Sequence, residues 1–370
     1  MKAIVHIGMP KTGSTSIQAW LGANRAELSR HNLAYDRIKL AGYRAGAAHQ
    51  GVAIAQHEAM GELMTNLGVR IHYNLKDRDA QREFVSRYTD AFAKVVAKCT
   101  EDTFVISSEY IGAAKSSPAA VEAVDGWLGQ FFTDIRYIVY FRRQEDWIAS
   151  SYSERLKRGA TITFDEVLES HGRQNWFRKA KLWKKCVGAD RLNVRLLEPD
   201  FLENGNLIDD FARQLGISSL DGMNEAPRLN ESLSGPAAVI LRRLNAEIPH
   251  TVDDGNRINP TKANLRNLLM QQKLGLPKIA LSAEQVAQIR ELNADTNERL
   301  LKEFFPGRDQ LFPERSARSV EEMTSDDIAT SAVDMALRLM AQRGERTGKP
   351  VADNDNMSRL KRYIVKQLSN

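Results

Sequence analysis

Residues 3–18 read AIVHIGMPKTGSTSIQ, and no other stretch constrains the fold as strongly. Ala3, Ile4, Val5, His6 and Ile7 form an apolar, β-branched run with the length of a buried strand. Gly8 stops it. A turn holding a second glycine, Gly13, follows, and a helical pattern begins at Ser14 or Thr15. Strand, glycine turn and helix N-terminus together form an anion cradle, because unpaired N–H groups and the positive end of the helix dipole converge there. A nucleotide triphosphatase loop reads G-x-x-x-x-G-K-[ST]. Gly8 and Gly13 keep that spacing, but Ser14 stands where the lysine belongs, and the lysine is Lys11. Ser14, Thr15 and Ser16 offer hydroxyls along the first turn. The stretch reads as a loop that grips a diphosphate-like group without the usual lysine-plus-magnesium arrangement. The plain alternative is an ordinary strand–helix turn.

Residues 134–158 read DIRYIVYFRRQEDWIASSYSERLKR. The run from Ile135 to Phe141 predicts a second buried strand, ending at Arg142 and Arg143. A helix is expected to start near Asp146, a suitable N-cap. Ser150 falls eight residues after Arg142, on the second turn. A strand-end guanidinium and a helix hydroxyl can share one phosphate. The alternative is a pair of solvated arginines.

Further along, residues 32–77 read as irregular, 78–99 as a helix, 103–107 as a strand and 117–131 as a helix. Two helical stretches, TFDEVLESH and WFRKAKLWKKC, precede a strand at 192–197 and a helix ending at Gly216. Strands alternating with helices imply a parallel sheet with helices on both faces, and ligands there bind at strand carboxyl ends. The turns at Gly8, Ser107 and Arg142 are all such ends. The expected class is α/β, a P-loop-like three-layer fold with a helical C-terminal extension. One α/β domain spans 1–315, with a helical cap or extension at about 233–305 broken near 249–260. Residues 316–370 read as a helical extension with a polar linker near 345–356 and a basic amphipathic helix, MSRLKRYIVKQLS.

HIGMPKTGSTSIQ and YFRRQEDWIASSY together resemble the sulfotransferases that use 3′-phosphoadenosine 5′-phosphosulfate (PAPS), and most of all their bacterial members. RLLEPDFL, LIDDFARQLGI, LNESLS and FFPGRDQLF resemble further segments, so the likeness runs over about 1–315. It implies that Pro10, Lys11, Thr12, Gly13, Ser14, Thr15 and Ser16 hold the 5′-phosphosulfate. It implies also that Arg142 and Ser150 hold the 3′-phosphate. Lys11 would offset charge on the leaving oxygen. The Arg-Lys-Gly run of the animal enzymes has no counterpart here; Arg228 is a candidate to replace it.

A general base must take the acceptor proton. Glu109, in SSEY after the strand at 103–107, is favoured; His49, in GAAHQGVA, is the second candidate. Ser107 and Ser108 either hydrogen-bond the sulfuryl group or close the turn. The tryptophans Trp127, Trp147, Trp176 and Trp183 read as core. Arg155, Lys157 and Arg158 read as a solvated helix end, with an anionic acceptor as the alternative.

Charged residues make up 27% and apolar residues 42% of the chain, as in globular proteins. No apolar run reaches membrane-spanning length and none opens the chain, which predicts a cytoplasmic protein. Two cysteines, Cys99 and Cys186, give no zinc spacing, and no metal site is expected. A net charge of +5 suits an anionic nucleotide but does not argue for nucleic acid. The expected partner is a hydroxyl acceptor, a glycan or glycolipid. Peripheral membrane contact by the basic helix and a homo-oligomer stay open. The reading is sulfuryl transfer from PAPS to that acceptor. Its rivals are a nucleotide or small-molecule kinase with a modified loop, and a non-catalytic nucleotide- or glycan-binding module.

Overall fold

The strand at the head of the chain becomes the centre of a sheet. The structure, a computed structural model, describes residues 1–43, 48–113, 117–226, 233–252, 257–272, 274–314 and 324–347. β1 (Lys2–Ile7) leads to α1 (Ser14–Ala23), α2 (Arg25–Arg30) and β2 (Leu33–Ala34). Next come α3 (Gln50–Ala59), α4 (Leu67–His72), α5 (Arg78–Val96), β3 (Thr103–Ser108), α6 (Glu109–Ala113) and α7 (Pro118–Leu128). β4 (Asp134–Phe141), α8 (Gln144–Lys157), α9 (Phe164–His171), α10 (Trp176–Val187), β5 (Leu192–Leu196) and α11 (Leu207–Gln214) continue the chain. α12 (Gly235–Glu247), β6 (Thr251–Val252), β7 (Arg257–Ile258), α13 (Pro260–Met270), α14 (Ala283–Phe304) and α15 (Ser325–Thr347) complete it.

β1 to β5 form one parallel sheet in the order β2-β3-β1-β4-β5. Side chains alternate across a strand, so the two faces can be read by parity. Val105, Ile138 and Tyr140 pack with Ile17, Trp20 and Leu21 of α1 and Phe211 of α11. Phe104, Tyr137 and Phe141, out of phase by one, meet Phe92 of α5 and Trp183 and Trp176 of α10. Both faces are covered, which is why these strands read as unbroken apolar runs. This is the mixed α/β fold expected, a five-stranded parallel sheet flanked by helices. The chain leaves β1 toward β2 and leaves β4 toward β5, so the loops after β1 and β4 diverge. Ligand crevices open at such switch points.

Two compact units divide the described residues. One takes those of 1–143, 174–230 and 293–313 and contains the whole sheet. The other takes those of 144–173, 231–292 and from 314 on. Its core gathers Ile148, Tyr152 and Leu156 of α8, Val167 and Leu168 of α9, Leu241 of α12, Leu269 of α13 and Ile289 of α14. The units interleave along the chain, whereas sequence order suggested one boundary near 315.

Several elements differ from expectation. Residues 32–77 are not irregular throughout: they contain β2, α3 and α4. α3 is buried from Gly51 through His57 and so has no polar face to give a helical period. Gly51 is required there, since a Cβ would lie 2.2 Å from the Tyr88 ring. The break near 249–260 is an antiparallel hairpin, and Asn259 then caps α13 by accepting from Thr261 N–H at 3.1 Å. α8 starts at Gln144, not near Asp146, so Asp146 sits in the first turn and complements the dipole. α14 opens on a capping box between Ser282 and Gln285, at 3.0 and 3.1 Å. Arg228, the MSRLKRYIVKQLS helix and the linker past Thr347 lie outside the described residues.

Candidate active site

Register brings three strand ends together. Ile7 pairs with Ser108 of β3 on one side and Val139 of β4 on the other. β4 runs two residues further, which carries Arg142 alongside the loop that follows β1. Gly8 N–H continues the ladder by donating to Ser108 O at 3.1 Å. Gly8 must be glycine: a Cβ there would lie 2.6 Å from Glu109 Cα and 2.8 Å from Ser14 Oγ. That close approach sets Glu109, the first residue of α6, against the loop. Gly112 repeats it one turn on, where a Cβ would lie 2.6 Å from Gly8 O.

Inside the loop, Thr12 Oγ1 and Ser14 Oγ both donate to Met9 O, at 2.8 and 3.3 Å. These two expected phosphate-binding hydroxyls therefore brace the loop, while Thr15 and Ser16 lie half-buried on the first turn of α1. Lys11 has a φ of 67°, which a non-glycine residue avoids at a cost of roughly 1–2 kcal/mol. Strain of that kind gathers where backbone conformation serves a ligand. Gly13, at φ 83°, is the residue before α1, and no side chain caps the helix. In the first turn of α1 the Ser16 N–H donates back to Gly13 O at 2.9 Å, and a helix N-terminus without a side-chain cap is a place that favours an anion.

Arg142 and Arg143 are not the solvated pair that formed the alternative reading. Arg142 Nη1 donates to Lys11 O at 3.2 Å, which fixes the guanidinium at the loop. The Arg142 carbonyl accepts from Trp176 Nε1 at 2.9 Å. Arg143 is buried, paired with Glu198 at 3.1 Å, and donates to Pro313 O at 2.6 Å. Ser150 lies half-buried on α8.

The two base candidates part company. His49 is buried at 3% exposure, and both ring nitrogens are engaged. Nδ1 accepts from Ser107 N–H at 3.3 Å, which leaves the proton on Nε2, and Nε2 donates to Asp36 O at 2.9 Å. Burial pushes its pKa down to about 4. His49 thus ties the start of α3 to β3. Glu109 is half-buried beside Gly8. Ser107 Oγ bonds His6 Nδ1 at 2.8 Å and Gln18 Nε2 at 3.2 Å, so it closes a buried network. Ser108 Oγ is buried with no hydrogen-bond partner among the described residues. Trp127, Trp176 and Trp183 are core, as read, and Trp147 is half-buried. Arg158 pairs with Glu154 at 3.1 Å and Arg155 meets His171 at 2.6 Å, so these two are engaged within their own unit.

Sequence reasoning missed Lys179. Its Nζ donates to Gly112 O at 2.9 Å and lies 3.8 Å from Met9 Sδ. The signal was there: Trp176, Ala180 and Trp183 mark the buried stripe of α10, and Lys179 stands on that stripe at helical spacing.

Among the described residues, no cluster of His, Cys, Asp and Glu could hold a metal ion, and no helix is long and apolar enough to cross a membrane. No family profile matches the chain. An uncharacterised protein of Archaeoglobus fulgidus is 23% identical over 176 residues, 48% of this chain and 47% of that protein. The chain thus spans about half the length of that curated relative. Among solved structures, the sulfotransferase domain from the curacin biosynthetic pathway aligns at 12% identity with a TM-score of 0.37. The alignment covers 80% of this chain and 97% of that domain.

Proposed function

We propose that the chain is a sulfotransferase that moves a sulfuryl group from PAPS to a hydroxyl acceptor, a carbohydrate or glycolipid. One observation carries the reading: the strained, uncapped β1–α1 loop has Arg142 bound to it from β4 and Glu109 pressed against Gly8 from β3. This arrangement supports a reading in which one loop serves both anion binding and proton acceptance.

The residues fit an anionic donor. α1 lacks a side-chain cap, and Gly8 and Gly112 hold the backbone too close for any Cβ. The loop N–H groups and the start of α1 take the 5′-phosphosulfate, with Thr15 and Ser16 as hydroxyl donors. Arg142 takes the 3′-phosphate; Ser150 is assigned to it by sequence spacing alone. PAPS supplies the activated sulfuryl group, and the acceptor oxygen–sulfur bond forms as the sulfur–phosphate oxygen bond breaks. Lys11 offsets charge on the departing phosphate oxygen, and Glu109 removes the acceptor proton. Positioning and electrostatics do most of the work, as in phosphoryl transfer.

Transfer of labelled sulfate from PAPS to a panel of glycans and phenols tests this. Transfer that requires Lys11 and Glu109 is the expected result. Absence of transfer to every acceptor contradicts catalysis, and turnover of ATP with magnesium instead brings the kinase forward.

A further inference from the structure

Lys179 is a cation on the buried stripe of α10, and among the described residues no carboxylate pairs with it. Trp176 and Ala180 are 1% exposed and Trp183 is 8% exposed, so the side chain leaves the helix among apolar neighbours. Lys179 itself is half-buried, and burial lowers its pKa to about 8. Its ammonium meets two groups, Gly112 O on α6 and Met9 Sδ in the β1–α1 loop. Those two elements touch each other through Gly112 and Gly8. The ammonium therefore sits at the joint between the helix that begins with Glu109 and the loop that holds the anion.

A cation placed among apolar groups is costly unless an opposite charge compensates it. The titratable and charged groups on the surrounding elements include Lys11 on the loop, Glu109 and Tyr110 on α6, Glu122 and Asp125 on α7, and Asp295, Glu298, Arg299, Lys302 and Glu303 on α14. Asp125 is engaged by Arg191 at 2.9 Å and by the Tyr137 hydroxyl at 2.6 Å. Glu303 accepts from Lys184 at 3.1 Å. None of these sets the titration of Lys179. An anion in the adjoining loop would supply the missing charge.

We propose that Lys179 is a positioning residue for the site: it ties the helix of Glu109 to the β1–α1 loop, and an anion bound in that loop completes its charge compensation. The inference rests on the reading that this loop binds an anion, but not on the identity of that anion. It predicts proton uptake. In the free protein Lys179 is partly neutral near pH 8, and anion binding restores the ammonium. Above pH 8, affinity falls by up to about tenfold per pH unit.

The test is calorimetric binding of adenosine 3′,5′-bisphosphate and, separately, inorganic pyrophosphate at pH 8, in two buffers of different ionisation enthalpy. Wild type, Lys179→Arg and Lys179→Met are compared. Wild type should take up as much as about half a proton per anion bound. Lys179→Arg, which stays charged, should bind without that uptake and without the pH step. Lys179→Met should bind more weakly, also without uptake. Bisphosphate binding whose proton uptake is zero, or persists in Lys179→Arg, overturns the inference and leaves the sulfotransferase reading standing. Pyrophosphate binding with Lys179-dependent uptake, but no bisphosphate binding, upholds the inference and removes that reading. No binding of either anion overturns both.

Discussion

The turns after β3 and β4 flank the same loop from opposite sides and are built differently. On the β4 side, two successive arginines diverge: Arg143 is sealed against Glu198, and Arg142 reaches the Lys11 carbonyl. On the β3 side the two residues proposed as base diverge in the same manner. His49 is locked to Ser107 and Asp36, and Glu109 stays half-buried beside Gly8. On each side one polar residue is locked into the fold, Arg143 by Glu198 and His49 by Ser107 and Asp36. The sides differ in sign, cationic at β4 and carboxylate at β3. The proposed site is therefore polarised, with anion binding on one side and proton acceptance on the other.

The largest expected effect breaks the β3 side. Glu109→Gln should lower kcat by about 10²–10⁴-fold while leaving bisphosphate affinity unchanged, read by steady-state kinetics and calorimetry. Next comes the sealed arginine. Glu198→Ala leaves the Arg143 charge buried without its carboxylate and should cost about 3–5 kcal/mol in urea unfolding. Arg142→Ala should do the converse. It should weaken bisphosphate binding by roughly 1.5–3 kcal/mol and leave the unfolding midpoint near wild type.

The smallest effect concerns pH. Burial pushes His49 to about 4 and His6 to about 3. The unfolded chain protonates both below about 6.5, whereas the folded chain does not, so stability falls as pH drops. From pH 7 to pH 6 each contributes about 0.7 kcal/mol of that loss. Transfer activity should show no histidine step at pH 6.5; such a step abolished in His49→Asn would reinstate His49 as the base.

Much of this was legible in the sequence because it follows from local pattern. The strand–glycine–helix run, the arginine at the end of a β-branched strand and the alternation of strands with helices all announce themselves within a few residues. Other features depend on packing between distant segments. α3 is buried all round and so lacks a period, and the fate of Arg143 hinges on Glu198, 55 residues away. Glu109 is the favoured base and His49 the second candidate on sequence; the hydrogen bonds that lock His49 to Ser107 and Asp36 join distant segments and are not readable there. Lys179 was the readable exception, a cation on an apolar stripe.

The most direct test is calorimetric titration of wild type and Arg142→Ala with adenosine 3′,5′-bisphosphate, in chelator, with ATP and ADP as controls. Tight, metal-independent binding of the bisphosphate to wild type, weakened by roughly 1.5–3 kcal/mol in Arg142→Ala, is the predicted result. No binding, or a preference for ATP that requires magnesium, would contradict the account.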